Sequence, residues 1–339
     1  MKQSRRIAMG ILCILLLGLP LYAGGSKESA APKAEVKPIK LVGGTMLPEG
    51  HVFWQTIVFF RDKLKEYYKG PLEIDLHHSG SLGTEKDAIE FMIQGTAIDF
   101  YIISPAWIAT WDKTAPIIDA PFLFKSVPHW EKCLNMNVFQ SIEDNMIKKG
   151  VRFIGYGGGG SRNIISRKPV YTINDFPNIT MRVQGSPLHQ KAFSATGLKA
   201  TPMDYMEVYN AIKTGVLDAL ENEPAGLESM KFYEVAPYYI LTDHQIVTRI
   251  LAFSEKRFQS FPKDLQEAII KAGKEAGAFH RKTEVALGET IIKNLTEKHG
   301  LKVIPFDNTE MRKRALPAVE EYAKEVGALD IFKKVQEID

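Results

Sequence analysis

Residues 85–105 read EKDAIEFMIQGTAIDFYIISP. Glu85 to Gln94 is helical in pattern and is closed by Gly95, the residue that most readily takes the left-handed conformation at a helix end. The run Ile98-Asp99-Phe100-Tyr101-Ile102-Ile103 that follows is continuously apolar apart from Asp99, as in strands buried on both faces, and it stops at Ser104-Pro105. Residues 208–224, VYNAIKTGVLDALENEP, repeat the design. Val208 to Lys213 is helical, Gly215 sits near its C-terminus, and Val216 to Leu220 runs as a strand into Glu221-Asn222-Glu223-Pro224. Two helix-to-strand units of one design predict two lobes of similar α/β build. Ligands of open α/β sheets bind beyond the carboxyl ends of strands. That rule makes Ser104 and Trp107 at one strand end, and Glu221 and Asn222 at the other, candidates for a cleft.

The flanking segments alternate in the same way. Ile39 to Val42 reads as a strand before a Gly-Gly turn, Val52 to Tyr68 carries apolar residues at 53, 57, 60, 64 and 67, and Leu72 to His77 is the next strand. Lys263 to His299 reads as one helix rich in Ala, Glu, Lys and Ile. It far exceeds the usual globular element of about 11 to 12 residues and is long enough to lie across both lobes.

The chain begins with Met1-Lys2-Gln3-Ser4-Arg5-Arg6, an apolar run from Ile7 to Leu19, and small residues around Ala23-Gly24. This is the pattern of an export signal cleaved near residue 23, because the apolar run is shorter than the roughly 20 residues that an anchoring helix needs. Residues 24–38 (GGSKESAAPKAEVKP) are small, charged and Pro-punctuated, and read as a flexible tether. Cys13 and Cys133 are the only cysteines, so loss of the leader leaves one thiol and no disulfide. Removal of Lys2, Arg5 and Arg6, with no acid beside them, brings 43 basic residues into balance with 40 acidic ones. Nothing in that balance points to nucleic acid as a partner.

Several chemical motifs fail on inspection. Gly155-Tyr156-Gly157-Gly158-Gly159-Gly160 satisfies G-x-G-x-x-G, with Asp175 at the offset of a ribose-binding acid. The dinucleotide fingerprint needs a helix N-terminus directly after the glycines, whereas Ser161 to Ser166 is β-like. The glycines are better read as a flexible crossover between lobes, with Arg162 just past the hinge. The eight histidines show no H-x-x-x-H or H-E-x-x-H spacing, so no metal or other cofactor is expected. No G-x-S-x-G elbow is present.

Arg162 to Pro224 resembles the signature region of the extracytoplasmic solute receptors of TRAP (tripartite ATP-independent periplasmic) transporters. In that family an arginine follows a glycine-rich turn, a second arginine follows a D-L-K-G-L-K-I-R-like run, and an E-N-P tripeptide closes the next strand. Here these are Ser161-Arg162-Asn163, Asp175-Phe176-Pro177-Asn178-Ile179-Thr180-Met181-Arg182-Val183 and Glu221-Asn222-Glu223-Pro224. Pro202-Met203-Asp204-Tyr205-Met206-Glu207-Val208-Tyr209 resembles the family's P-M-x-x-x-E-V-Y, and Ser81-Leu82-Gly83 followed by Glu85 resembles its Q-L-G stretch. The resemblance spans residues 39–339.

The resemblance implies that Arg182 receives a substrate carboxylate, that Asn222 donates to the same group, that Tyr205 packs beside it and that Arg162 supports it from the second lobe. Glu85, Ser104 and Trp107 occupy positions that face the ligand from the first lobe. A guanidinium fork suits this role, since it meets a carboxylate with two parallel charge-assisted hydrogen bonds. Two departures stand out: Asn178 replaces the family's usual Gly, and Glu223 is inserted between Asn and Pro. An added carboxylate at Glu223 would repel a second anionic group and accept from hydroxyls, which favours a hydroxylated monoacid over a dicarboxylate. The expected protein is therefore an α/β, two-lobed, periplasmic-binding-protein-like receptor with a ligand cleft between the lobes and a long helix spanning both. Lobe I comprises residues 39–158 plus 248–287, and lobe II residues 159–247 plus 288–339. It would be a non-enzymatic, exported, periplasmic protein that binds a small organic acid such as a uronate or aldonate, with two integral membrane subunits as partners. Two alternatives remain at this point: an ABC-type solute-binding protein, and an exported α/β enzyme using Glu85 or Glu221 as acid or base.

Overall fold

Two long antiparallel strands organise the chain, β4 (Val151–Ser166) and β8 (Tyr238–Ser254). The structure, a computed structural model, describes residues 37–339; the expected leader, most of the tether and Cys13 lie outside the described residues. Seven shorter strands complete one mixed sheet: β1 (Ile39–Gly44), β2 (Leu72–His77), β3 (Phe100–Ile103), β5 (Thr180–Val183), β6 (Lys199–Pro202), β7 (Ala219–Asn222) and β9 (Lys302–Pro305). Their order is β2-β1-β3-β8-β4-β7-β5-β6, with β9 also on β8. β3 pairs with the C-terminal part of β8 (Ile103 opposite Ile250), whereas β9 pairs with its N-terminal part (Tyr239 opposite Val303). β7 pairs with the C-terminal part of β4, Asn163 opposite Asn222. The short strands thus form two groups fastened to opposite ends of the same central pair.

The helix-to-strand units form as their sequences dictate. Helix Glu85–Gln94 opens on a reciprocal capping box between Thr84 and Asp87 and closes on Gly95 at φ 66°. Helix Val208–Thr214 closes on Gly215 at φ 83°. The strand after it starts at Ala219 instead of Val216. The turn at Gly215 carries Val216 into solvent, 64% exposed, and the Leu217 amide returns to the carbonyl of Ala211. Both strands are wholly buried.

The glycine run, read in the sequence as a crossover, lies inside a strand: Gly155 to Gly160 belongs to β4, paired with β8, with register shifts between Phe153 and Gly155 and between Gly158 and Ser161. Gly158 and Gly159 take φ of 106° and 100°, which L side chains rarely adopt. The other glycines admit the long helix Lys263–His299. A Cβ on Gly155 would stand 2.2 Å from the carbonyl oxygen of Gly273, and one on Gly277 2.6 Å from that of Tyr156. Strand and helix therefore meet backbone to backbone. Asp175, at the ribose-acid offset, instead caps a short 3₁₀ turn by accepting from the amides of Tyr171 and Thr172.

Near the end of the chain, helix Thr309–Glu325 packs on helix Pro187–Ala195. The last helix, Leu329–Glu337, turns to residues 123–129: Gln336 Nε2 donates to the Leu123 carbonyl at 2.8 Å, and His129 Nε2 meets the Val335 carbonyl at 3.0 Å.

Deep between the strand groups, Asp119 and His189 are fully buried with 3.9 Å between Asp119 Oδ1 and His189 Nε2. Desolvation raises the Asp119 carboxyl to about 7 and lowers the His189 imidazole to about 3. Between about pH 4 and 6.5 folding therefore takes up a proton at Asp119 and releases one at His189, and the two pH dependences cancel.

Two stability measurements test this packing. Asp119→Asn removes the term that lowers stability as pH rises and leaves the His189 term that raises it. The variant's unfolding free energy is expected to climb by about 1.4 kcal/mol per pH unit between pH 4.5 and 6 relative to the wild type. Parallel profiles from urea titrations would contradict the raised Asp119 carboxyl. For the helix contact, Gly155→Ala is expected to lose about 1–3 kcal/mol or more through overpacking against backbone that has no rotamer to yield. Gly50→Ala, with nothing within 4 Å, serves as the neutral control.

Candidate functional site

The carboxyl ends of β3, β5 and β7 converge with the middles of β4 and β8 on one small cavity of about 30 Å³. This is well below the usual range for ligand pockets, roughly 300–1,000 Å³. Eight residues singled out in the sequence line it: Glu85 from the first turn of its helix, Ser104 and Trp107 after β3, Arg162 from β4, Arg182 from β5, Tyr205, and Asn222 and Glu223 at the end of β7. Glu221, also a cleft candidate, is not on the wall; its carboxylate turns to Arg162. Five further residues complete the wall: Met46, Leu47, Phe53, Gln184 and Arg249. Two of these had a signal in the sequence. Gln184 follows Arg182 by two positions, the strand spacing that returns to the same face. Arg249 is the one charge in the apolar run Val247 to Phe253.

Arg182 is 2% exposed, and its Nε donates to the Met203 carbonyl at 2.9 Å. The Tyr205 ring lies 5.4 Å from its guanidinium carbon. It forms no salt bridge among the described residues, and burial lowers its pKa from the usual guanidinium value. The two terminal nitrogens are thus left without an anion in a desolvated wall. Asn222 stands beside them. Its Oδ1 accepts from the Glu223 amide at 3.0 Å and its Nδ2 donates to the Tyr205 hydroxyl, which leaves one amide proton to give.

Arg162 is placed very differently. Its Nε donates to the Glu221 carboxylate, its Nη1 to Glu223 Oε2 at 2.5 Å and its Nη2 to the Glu221 carbonyl at 2.6 Å. Burial opposes its charge, but Glu221 and Glu223 outweigh burial and hold its pKa above the ordinary value. Glu221, fully buried, is held well below the carboxylate range: desolvation raises it and Arg162 more than reverses that. All three nitrogens of the Arg162 guanidinium are therefore already engaged by protein. Glu223 reaches the cavity as expected, with its charge shared by Arg162 and, at 3.9 Å, Arg249. Arg249 donates to the Thr248 carbonyl at 2.9 Å, lies 3.7 Å from Asp119 and sits over the Phe53 ring at 5.8 Å. Glu85 Oε2 accepts from the Ser104 amide at 2.6 Å, and desolvation raises its pKa. Among the described residues no group of three or more His, Cys, Asp or Glu has the arrangement of a metal site.

Comparison with known proteins agrees with this architecture. The model of DctP, the bacterial extracellular solute-binding protein family 7, matches residues 43–325. A solute-binding protein of Sulfitobacter sp. (strain NAS-14.1) is 38% identical over 298 residues, 87% of this chain and 90% of the relative. The 2,3-diketo-L-gulonate-binding periplasmic protein of Escherichia coli (strain K12) is 29% identical over 246 residues, 72% of this chain and 74% of the relative. Among solved structures, a TRAP periplasmic solute-binding protein from Sulfitobacter sp. NAS-14.1 with bound α-D-taluronate superposes with a TM-score of 0.85 at 38% identity, covering 88% of this chain and 97% of that one. The fold in common is the two-lobed α/β type with a long helix. With a family model over most of its length and a relative at this identity, the chain belongs to family 7 of the bacterial extracellular solute-binding proteins, the DctP family of TRAP solute receptors.

Proposed function

We propose that this receptor captures a sugar acid, a uronate or an aldonate, by its carboxylate, with Arg182 as the anchor, and hands it to two integral membrane subunits. The observation that carries the reading is the buried Arg182 fork without an anionic partner. A buried unpaired charge is costly, and an incoming carboxylate removes that cost with two parallel bonds. Asn222 gives its free amide proton to the same group, and Tyr205 shields it. Arg162 acts one step back, fixing Glu221 and Glu223 in place. Glu223 and Glu85 then offer acceptors to hydroxyls and disfavour a second carboxylate. Solved relatives support the ligand class: they hold α-D-taluronate, β-D-galacturonate and D-glucuronate at 38%, 28% and 26% identity.

The lobes we propose are residues 39–158 plus 248–287 and residues 159–247 plus 288–339, closing about the crossing segments of β4 and β8. The chain acts outside the cytoplasm after cleavage near residue 23, consistent with the extracellular family to which it belongs. An enzymatic role through Glu221 finds little support. Glu221 is locked in an ion pair that keeps it ionised, which makes it unfit as a general acid. Ligand recovered unchanged from the purified protein would agree with a receptor.

The anchor is tested by calorimetry on protein stripped of ligand, with the acids found in the relatives as probes. Arg182→Ala is expected to weaken binding by about two to three decades, the cost of stripping one member of a buried charged pair. Arg182→Lys is expected to recover only part, because an ammonium lacks the planar fork. Arg167→Ala, an exposed arginine outside the cavity, is the control. Binding by Arg182→Ala within threefold of wild type would remove the anchor from the proposal.

A further inference from the structure

Gln184 is 3% exposed and lines the cavity two residues beyond Arg182. Its Oε1 accepts from Ser104 Oγ at 2.5 Å, a bond that reaches from the end of β5 to the end of β3. Its Nε2 is buried without a partner. With the carbonyl turned to Ser104, the amide nitrogen is left with two donors and no acceptor, a state that folded proteins rarely tolerate. The same seam closes again one residue on: a Cβ on Gly185 would stand 1.9 Å from Trp107 Cζ3, so the indole lies directly on the backbone. Ser104 is held in turn from behind, its amide donating to Glu85 Oε2 at 2.6 Å.

We infer that Gln184 is a specificity-determining residue whose Nε2 donates to a ligand hydroxyl, while its Oε1 latches the two strand ends together across the cleft. The inference rests on the sugar-acid reading given above. Two residues of strand advance roughly 6–7 Å, about five carbon–carbon bonds, so a ligand anchored at Arg182 presents to Gln184 an oxygen of its hydroxylated body and not the carboxylate itself. An acid without that hydroxyl leaves the amide unpaired and the latch poorly supported. Selection against unhydroxylated acids then arises from the penalty of a buried unmet donor, the device by which a polar site rejects an analogue that lacks one hydroxyl.

Variants separate the two functions of the amide. Gln184→Glu keeps an acceptor for Ser104 but puts a carboxylate oxygen where the donor was. Ser104→Ala removes the latch and leaves the donor. Gln184→Met removes both at similar size, and serves if the glutamate variant folds poorly. Each is titrated calorimetrically with D-glucuronate, D-galacturonate, L-galactonate, D-gluconate and, as the unhydroxylated monoacid, hexanoate, and closure is followed by the radius of gyration in X-ray scattering. The expected result is a loss of at least about tenfold for the preferred hydroxy acid in Gln184→Glu and Gln184→Met. Ser104→Ala should lose less affinity yet close incompletely at saturation. Gln184 variants that bind within twofold of wild type overturn the donor, and a Ser104→Ala protein that closes fully overturns the latch; both results leave the Arg182 anchor standing. A wild type that takes hexanoate and none of the hydroxylated acids overturns the hydroxyl assignment together with the sugar-acid reading.

Discussion

The antiparallel pairing of β4 with β8 is the constraint on which the remaining architecture rests. Each strand runs through both halves of the sheet, so each half borrows its central pair from the same two segments. The pairing is not uniform. Between Gly158 and Ser161 the register slips, and two left-handed glycines take up the difference where the halves meet. Because the short strands β3, β5 and β7 end at that level, their carboxyl ends face one another across the junction. The cavity is a product of this topology, and rotation of either half about the junction changes its width.

Within the cavity, one residue type serves two ends. Arg162 and Arg182 are both buried on neighbouring elements, yet Arg162 is ringed by Glu221 and Glu223 whereas Arg182 has only a backbone carbonyl and an aromatic face. The first is an internal cation whose charge is spent on holding β4 to β7. The second is a charge held in reserve. A site that carried two such reserves would suit a dianion. With the Arg162 fork occupied by protein, the geometry favours one carboxylate and a surrounding set of hydroxyl acceptors and donors.

Much of this was legible in the sequence where the information is local. The bounds of the strand Leu72–His77, the helix Glu85–Gln94 and the helix Lys263–His299 agree with the residue patterns, because caps and periodicity are written within one turn or a few. The eight residues named for the cavity converge on it, since strand ends are where open α/β sheets place ligands. What could not be read was non-local. Six residues dominated by glycine carry no strand pattern of their own, and pairing with β8 and contact with Gly273 and Gly277 make them extended. The neutralisation of Arg162 depends on residues some sixty positions away. Arg249 stood alone in an apolar strand, a warning that alternation and motif matching passed over.

The docking of the last helix has a consequence for how the molecule is made. Ile338, almost the final residue, accepts from Lys125 Nζ at 2.7 Å, and Tyr322 donates to the Lys113 carbonyl at 2.8 Å. The surface around residues 113–125 is therefore completed only by residues some two hundred positions further along the chain. Sequence separations of this size slow folding, because distant loops must close before their contacts contribute. Until residues 322–338 have been made, the Lys125 ammonium and the Lys113 carbonyl lack these partners, and that face of the molecule stays unfinished.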